Sequence, residues 1–175
     1  MLFLLFGSSA AGKSYVLARL GGRVRALAIH DFDEIGVPAG ADATWRQGAN
    51  EEWVQRAIAY EWAGTDLLLA GQTPVGELLR TPSVGLLDGV SACLMDCDDD
   101  TRITRLHARG PEWLASTGGT LQDYLNWAAW LRDHAVEQNA HVIDGAAPVD
   151  EVADALVEWI RTERARATPR RPASA

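Results

Sequence analysis

Lysine is almost missing from this chain: of its 16 basic side chains all but Lys13 are arginine. Cysteine is scarce too. Cys93 and Cys97 are too few for a disulfide framework, and without a second cysteine pair or an adjacent histidine they do not make a zinc site. A reducing cytoplasm fits them. The four histidines, His30, His107, His134 and His141, are scattered singly, and only His30 lies beside other candidate site residues. The apolar run at residues 1–6 has no basic segment ahead of it, so it reads as a strand, neither a signal peptide nor a membrane span. Positive charge is scarce in the body of the chain. The net charge is −8, but residues 161–175 carry +4, leaving −12 on residues 1–160. An acidic body excludes nucleic acid as a bulk partner. The arginine-rich 161–175 segment, with Pro169 and Pro172 but no aromatics, is expected to be a flexible, solvated tail.

With 175 residues, 47% of them hydrophobic, the chain suffices for one core and is short for two. No repeat of twenty to fifty residues recurs. Apolar segments at 2–6, 24–29, 66–70, 91–95 and 141–143 read as strands, and periodic segments at 14–20, 50–63, 75–80, 98–109, 121–136 and 149–161 as helices. Alternation of the two implies a mostly parallel sheet covered on both faces, an α/β fold. Residues 110–119, Gly-Pro-Glu-Trp-Leu-Ala-Ser-Thr-Gly-Gly, interrupt two helical patterns and suit a flap hinged at its glycines, within a small lid spanning about 109–136.

The solitary lysine sits in Gly7-Ser8-Ser9-Ala10-Ala11-Gly12-Lys13-Ser14. This octet fits G-x-x-x-x-G-K-[ST], in which backbone N–H groups surround phosphates, the lysine reaches their outer oxygens and the serine hydroxyl meets magnesium. An apolar strand precedes it and a helical pattern follows, the context the motif requires. A second informative segment is His30-Asp31-Phe32-Asp33-Glu34-Ile35. At the carboxyl end of the second strand it falls where open parallel sheets place ligand groups. If extended, Asp31 and Asp33 point the same way, one to accept a proton from an attacking hydroxyl and one to help hold magnesium; a solvated acidic turn has the same composition. Ser91-Ala-Cys-Leu-Met-Asp96 also ends an apolar strand in an acid that can assist magnesium, and ranks below Asp31.

The chain resembles the small P-loop kinases: nucleoside monophosphate kinases, shikimate and gluconate kinases, and chloramphenicol phosphotransferase-like proteins. The likeness rests on the 7–14 loop, on Asp31-Phe32-Asp33-Glu34-Ile35 ahead of Pro38, on the third strand ending in Gly71, and on Asp96-Cys97-Asp98 leading into Arg102, Arg105 and Arg109. The resemblance implies a three-layer P-loop NTPase fold with a five-stranded parallel sheet and a small helical lid. It also implies ATP and Mg²⁺ as cofactors, with Gly7 to Ser14 on the nucleotide and Ser14 and Asp31 on the metal. Asp31 matches the catalytic base position best, Asp33 is able to share that work, and Lys13 and Arg109 act on the transferring phosphoryl. Arg105 matches an adenine-side position. For Arg105 and Arg109 complementarity to the helix dipole explains the spacing equally well, and for Arg102 it is the preferred explanation.

An acceptor pocket is expected between the exits of the second and third strands, drawing on Trp45, Arg46, Trp53, Arg56, Gln72, Thr73 and Arg80; Trp53 and Trp62 also suit the core of the second helix, and Trp113, Trp127 and Trp130 carry the same ambiguity. The function these features favour is ATP-dependent phosphoryl transfer to a hydroxyl of a small molecule, by a cytoplasmic monomer or homodimer with no nucleic-acid or membrane partner. A nucleoside or nucleoside monophosphate kinase is the nearest alternative, but no compact arginine cluster for an acceptor phosphate occurs in residues 31–80. A P-loop NTPase without acceptor transfer is another. A dinucleotide-binding loop fails because G-x-G-x-x-G is absent, and a GTP switch because its Asn-Lys-x-Asp segment needs a second lysine.

Overall fold

The computed structural model describes residues 1–167. Five strands, β1 (Leu2–Phe6), β2 (Leu27–Asp31), β3 (Asp66–Gly71), β4 (Val90–Asp96) and β5 (Ala140–Asp144), form one parallel sheet in the order β2-β3-β1-β4-β5. Phe6 pairs with Gly71 on one side and Leu94 on the other. Every residue of the central strand β1 is buried, as expected of a strand covered on both faces. Its side chains alternate between two cores. Phe3 and Leu5 join the layer under helices α1 (Lys13–Leu20) and α7 (Val149–Arg166), while Leu2, Leu4 and Phe6 join the layer under α2 (Ala43–Trp62), α3 (Val75–Leu78) and α6 (Leu121–Asp133). Helix α4 (Asp99–Ala108) and the short α5 (Pro111–Ser116) complete the chain between β4 and α6.

Local chemistry sets several boundaries. Asp42 caps α2 by accepting the Trp45 N–H at 2.8 Å, so this helix starts at Ala43, earlier than the apolar pattern near residue 50 suggests. The flap expected at 110–119 contains α5, with Pro111 at its first helical position. Thr120 and Asp123 then cap α6 reciprocally.

The second strand begins at Leu27, not at residue 24. The preceding residues turn through Gly22 and Ala26, both at positive φ. Arg164, expected in a flexible tail, holds that turn from across the molecule. Its guanidinium donates to the carbonyls of Arg25 and Ala26 at 2.9 Å each and pairs with Asp66 at 2.8 Å. Helix α7 accordingly runs to Arg166, beyond the expected Arg161; Arg170 and Arg171 lie outside the described residues. Trp62, an anticipated core residue, is 85% exposed at the end of α2. Among the described residues no helix is long and apolar enough to cross a membrane.

Candidate functional site

The connection leaving β1 runs toward the β2 edge of the sheet and the connection leaving its neighbour β3 runs the other way, to β4, so the chain reverses direction between these two strands. Open α/β sheets place ligands at such a switch point, and the loop of residues 7–14 lies there, between β1 and α1. A cleft of about 1140 Å³ opens over it, lined by Ser9, Ala10, Gly12, Lys13 and Ser14, with Asp31 and Asp33 beside them. Gly7, Ser8 and Ala11 form the buried backing of the loop. Ala10 holds φ 63°, a left-handed conformation that costs a residue bearing a Cβ about 1 kcal/mol. Such strain is retained where loop shape matters more than local comfort.

Lys13 donates from Nζ to the carbonyls of Gly7 at 2.6 Å and Ser8 at 3.1 Å. The residue is half-buried overall, with its ammonium tucked beneath the loop. Burial pulls its pKa down to about 8, against the opposing pull of Asp31. An ammonium held this way is charged at neutral pH and gains from an incoming anion.

Asp31 and Asp33 do not lie together on an extended strand. The strand ends at Asp31, and a 3₁₀ turn, Phe32–Ile35, follows. Asp31 caps that turn: its Oδ1 accepts the Asp33 N–H at 3.1 Å, and its own N–H donates to Glu34 Oε1 at 2.9 Å. This leaves Oδ2 to accept from Ser14 Oγ at 3.1 Å. The Asp33 carboxylate makes no hydrogen bond or ion pair among the described residues. Burial, and then the nearby Asp31 charge, push its pKa up, while Lys13 opposes the shift. Trp53 pins the turn from below, its Nε1 donating to the Phe32 carbonyl at 3.0 Å. Gly71 makes room for it: a Cβ there would fall 2.8 Å from that of Phe32. His30 faces away from the loop, bridging Glu34 at 2.6 Å and Tyr60 at 2.8 Å. It braces the turn from outside.

The three arginines of α4 and its end separate sharply. Arg102 is fully buried behind the loop, donating to the Ser9 carbonyl at 2.6 Å and pairing with Asp96. Arg132 of α6 takes the other Asp96 oxygen at 2.9 Å. Asp96 is therefore engaged by two guanidiniums and is not presented to the cleft as a metal-assisting acid. Arg105 lines the cleft and donates to the Ala10 and Ala11 carbonyls at 3.2 and 3.4 Å. Arg109 also lines it, its guanidinium 4.5 Å from the Trp113 ring centre.

Of the residues expected around an acceptor, Trp45, Arg46, Gln72, Thr73, Trp113 and Trp127 reach the cleft. Trp53 and Arg56 do not: the first is core, and the second lies over its ring and pairs with Glu52. Arg80 and Trp130 are also outside the lining.

Sequence reasoning missed the loop after β5. Gly145 and Ala147 line the cleft beside Gly12 and Arg105, and the Gly145 N–H donates to the Asp96 carbonyl at 2.6 Å. The available signal was the Asp144-Gly145 pair, one of two Asp-Gly pairs in the chain. A Cβ on Gly145 would stand 2.2 Å from the Ala11 carbonyl oxygen. Gly145→Ala is therefore expected to cost about 3 kcal/mol of stability and to weaken nucleotide binding by displacing the loop, readable from thermal unfolding and nucleotide titration. Unchanged values in both would show that the two loops need not touch.

A G-x-x-x-x-G-K-[ST] loop at the switch point of a β2-β3-β1-β4-β5 parallel sheet, with a serine–aspartate pair at its mouth, defines the P-loop kinase-like fold. No protein-family model and no curated protein matches the sequence. Solved structures do. A sugar kinase from Janibacter sp. HTCC2649 is similar over 96% of this chain and 98% of its own, at 16% identity and TM-score 0.64. Shikimate kinase from Acinetobacter baumannii, solved with shikimate, matches over 93% of each chain at 15% identity and TM-score 0.62. A gluconokinase from Sinorhizobium meliloti 1021 matches over 92% of this chain and 95% of its own, at 15% identity and TM-score 0.58. At such identities the likeness is one of fold, and it extends over nearly the full length of each chain.

Proposed function

We propose that this protein is an ATP- and magnesium-dependent phosphotransferase that moves the γ-phosphoryl group onto a hydroxyl of a small molecule, in the cytoplasm where ATP is supplied. The observation that carries the reading is the Ser14 Oγ to Asp31 Oδ2 contact at 3.1 Å at the mouth of the phosphate loop, with the unpaired Asp33 carboxylate on the same cleft. A hydroxyl and a carboxylate so placed suit a hard cation that prefers oxygen ligands.

The backbone N–H groups of residues 7–14 surround the phosphates, and Lys13 exchanges the Gly7 and Ser8 carbonyls for phosphate oxygens. Ser14 and Asp31 would hold Mg²⁺, which would supply neutralisation of the charge on the transferring phosphates. Asp33 takes the role of base: with no partner of its own and a raised proton affinity, it accepts the proton as the acceptor oxygen bonds to the γ-phosphorus and the bond to the β–γ bridging oxygen breaks. Arg109 meets charge developing on the phosphoryl, and Arg105, Gly145 and Ala147 bound the nucleoside side. The α5–α6 segment acts as the lid that excludes water. The first turn of α6 is tied to the loop, since Ser8 Oγ donates to the Tyr124 carbonyl at 3.1 Å.

The test is ATP consumption with magnesium across a panel of sugars, hydroxy acids, nucleosides and nucleoside monophosphates. Acceptor-stimulated turnover supports the reading, whereas hydrolysis indifferent to every acceptor favours an NTPase.

Lys13 adds a pH signature. The charged lysine binds phosphate, and phosphate in turn raises its pKa above the free value of about 8. Below about pH 8 nucleotide affinity is flat with respect to this group. Above it, affinity falls by up to about tenfold per pH unit, and binding takes up a proton. Nucleotide titrations in buffers of different ionisation enthalpy check this, and Lys13→Met should lose the slope along with most of the affinity. A pH-independent affinity in the unmutated protein would remove Lys13 from phosphate contact.

A further inference from the structure

The acceptor half of the cleft has an unusual balance for a fold whose solved neighbours include kinases of shikimate and gluconate. Its walls are aromatic: Phe32, Trp45, Trp113 and Trp127 all line it. Each indole is held by a ring partner. Trp45 meets Phe32 edge-on at 6.3 Å, Trp113 lies 5.7 Å from Tyr124, and Trp127 stacks on Trp130 at 5.0 Å and 4°, with Trp130 stacked in turn on His134. Rings braced from behind present fixed faces, and fixed apolar faces recognise flat apolar surface at little entropic cost.

The charges of that half run the other way from an anion site. Asp31, Asp33 and Asp42 line it, against two guanidiniums: Arg46, which faces Glu77 with Nε 3.5 Å from the carboxylate, and Arg109, which lies over the Trp113 ring. Arg56 and Arg80 do not reach it, and Arg105 hydrogen-bonds to the Ala10 and Ala11 carbonyls. A carboxylate or phosphate on the acceptor would enter beside three aspartates, where each guanidinium already faces a partner, Glu77 or Trp113, and neither stands free as the fork such groups require. Gln72 and Thr73 provide neutral hydrogen-bonding groups at the end of β3.

We propose that the acceptor is an uncharged hydroxylated molecule with a flat apolar face, which lies against the indoles of Trp45 and Trp127 and turns its hydroxyl to Asp33. This rests on the cleft being the acceptor side of a phosphotransferase, and the test keeps the two readings apart.

Matched acceptors differing only in a carboxylate are compared: phenylethanediol against mandelate, and a methyl glucopyranoside against glucuronate. Binding is measured by calorimetry on the full chain, with magnesium and a non-hydrolysable ATP analogue and again without nucleotide, and phosphorylation is measured separately. The neutral member of each pair is expected to bind at least about tenfold more tightly, with phenylethanediol ahead of the glucoside. Trp45→Leu, in the first turn of α2 and outside the core, and Trp127→Leu are each expected to weaken phenylethanediol about tenfold while leaving the ATP analogue unaffected. Tighter binding of mandelate or glucuronate, lost in Arg46→Gln, would overturn the proposal in favour of an anionic acceptor. Failure of every ring compound to bind would overturn it as well. Neutral compounds that bind in this pattern without being phosphorylated would uphold the pocket chemistry and sink the phosphotransferase reading instead.

Discussion

Asp33→Asn is expected to reduce phosphoryl transfer about a thousandfold, within the range a positioned general base contributes, with little change in nucleotide affinity. The asparagine keeps the shape of the turn, because the Asp33 N–H bonded to Asp31 Oδ1 is main chain. What disappears is the one carboxylate on the cleft that no described residue engages and whose proton affinity burial has raised. Asp31→Asn has a different signature. Asp31 already accepts from Ser14 and from the turn, so its loss should appear as a higher magnesium requirement together with a looser turn. Steady-state kinetics at varied magnesium separate the two, since a base acts on kcat and a metal-holding group on the cation dependence. If Asp33→Asn kept normal transfer while Asp31→Asn lost kcat at saturating magnesium, the roles would be exchanged and Asp31 would be the base, as the sequence resemblance alone implies.

Arg102→Leu is expected to cost about 3 to 5 kcal/mol of stability, the range for breaking a buried ion pair from one side. The guanidinium is wholly buried and joins three parts of the molecule: the Ser9 carbonyl in the phosphate loop, the Asp96 carboxylate at the end of β4, and the Cys97 carbonyl. Leucine fills the volume but leaves the Ser9 oxygen without its donor and Asp96 with Arg132 alone. In a domain of this size such a loss lowers the unfolding midpoint by about 10 °C. Scanning calorimetry measures it, and residual nucleotide affinity measured below the transition reports whether the loop has also lost its shape. A midpoint within about 2 °C of the unmutated protein would show that Arg102 does not brace the loop.

The loop of residues 7–14 was legible in the sequence because its pattern is local: one lysine, two glycines and a serine in a fixed octet between a strand and a helix. The five-stranded parallel sheet followed from alternation and resemblance together. Features set by distant contacts were not legible. Nothing near residue 24 announces that β2 waits until Leu27, because the turn before it is held by Arg164 from the far end of the chain. Complementarity to the helix dipole explains the spacing of Arg102, Arg105 and Arg109 without saying where each one goes, yet the first is buried, the second hydrogen-bonds to the loop and the third lies over Trp113. The Asp31 and Asp33 pair stood out for its composition, while the different engagement of the two carboxylates depends on a capped 3₁₀ turn that alternation along an extended strand does not describe. Tryptophans at helical spacing carry no mark of which side they face, and only packing puts Trp53 in the core, Trp127 in the cleft wall and Trp62 in solvent.

The most direct measurement of the central claim is phosphorus NMR of the products formed from ATP, magnesium and a neutral ring-bearing diol by the purified protein. A new phosphomonoester resonance growing in step with ADP, absent with Asp33→Asn, is the predicted result. ADP accompanied only by inorganic phosphate, or no ADP at all with every acceptor that binds, would contradict phosphoryl transfer as the activity of this cleft.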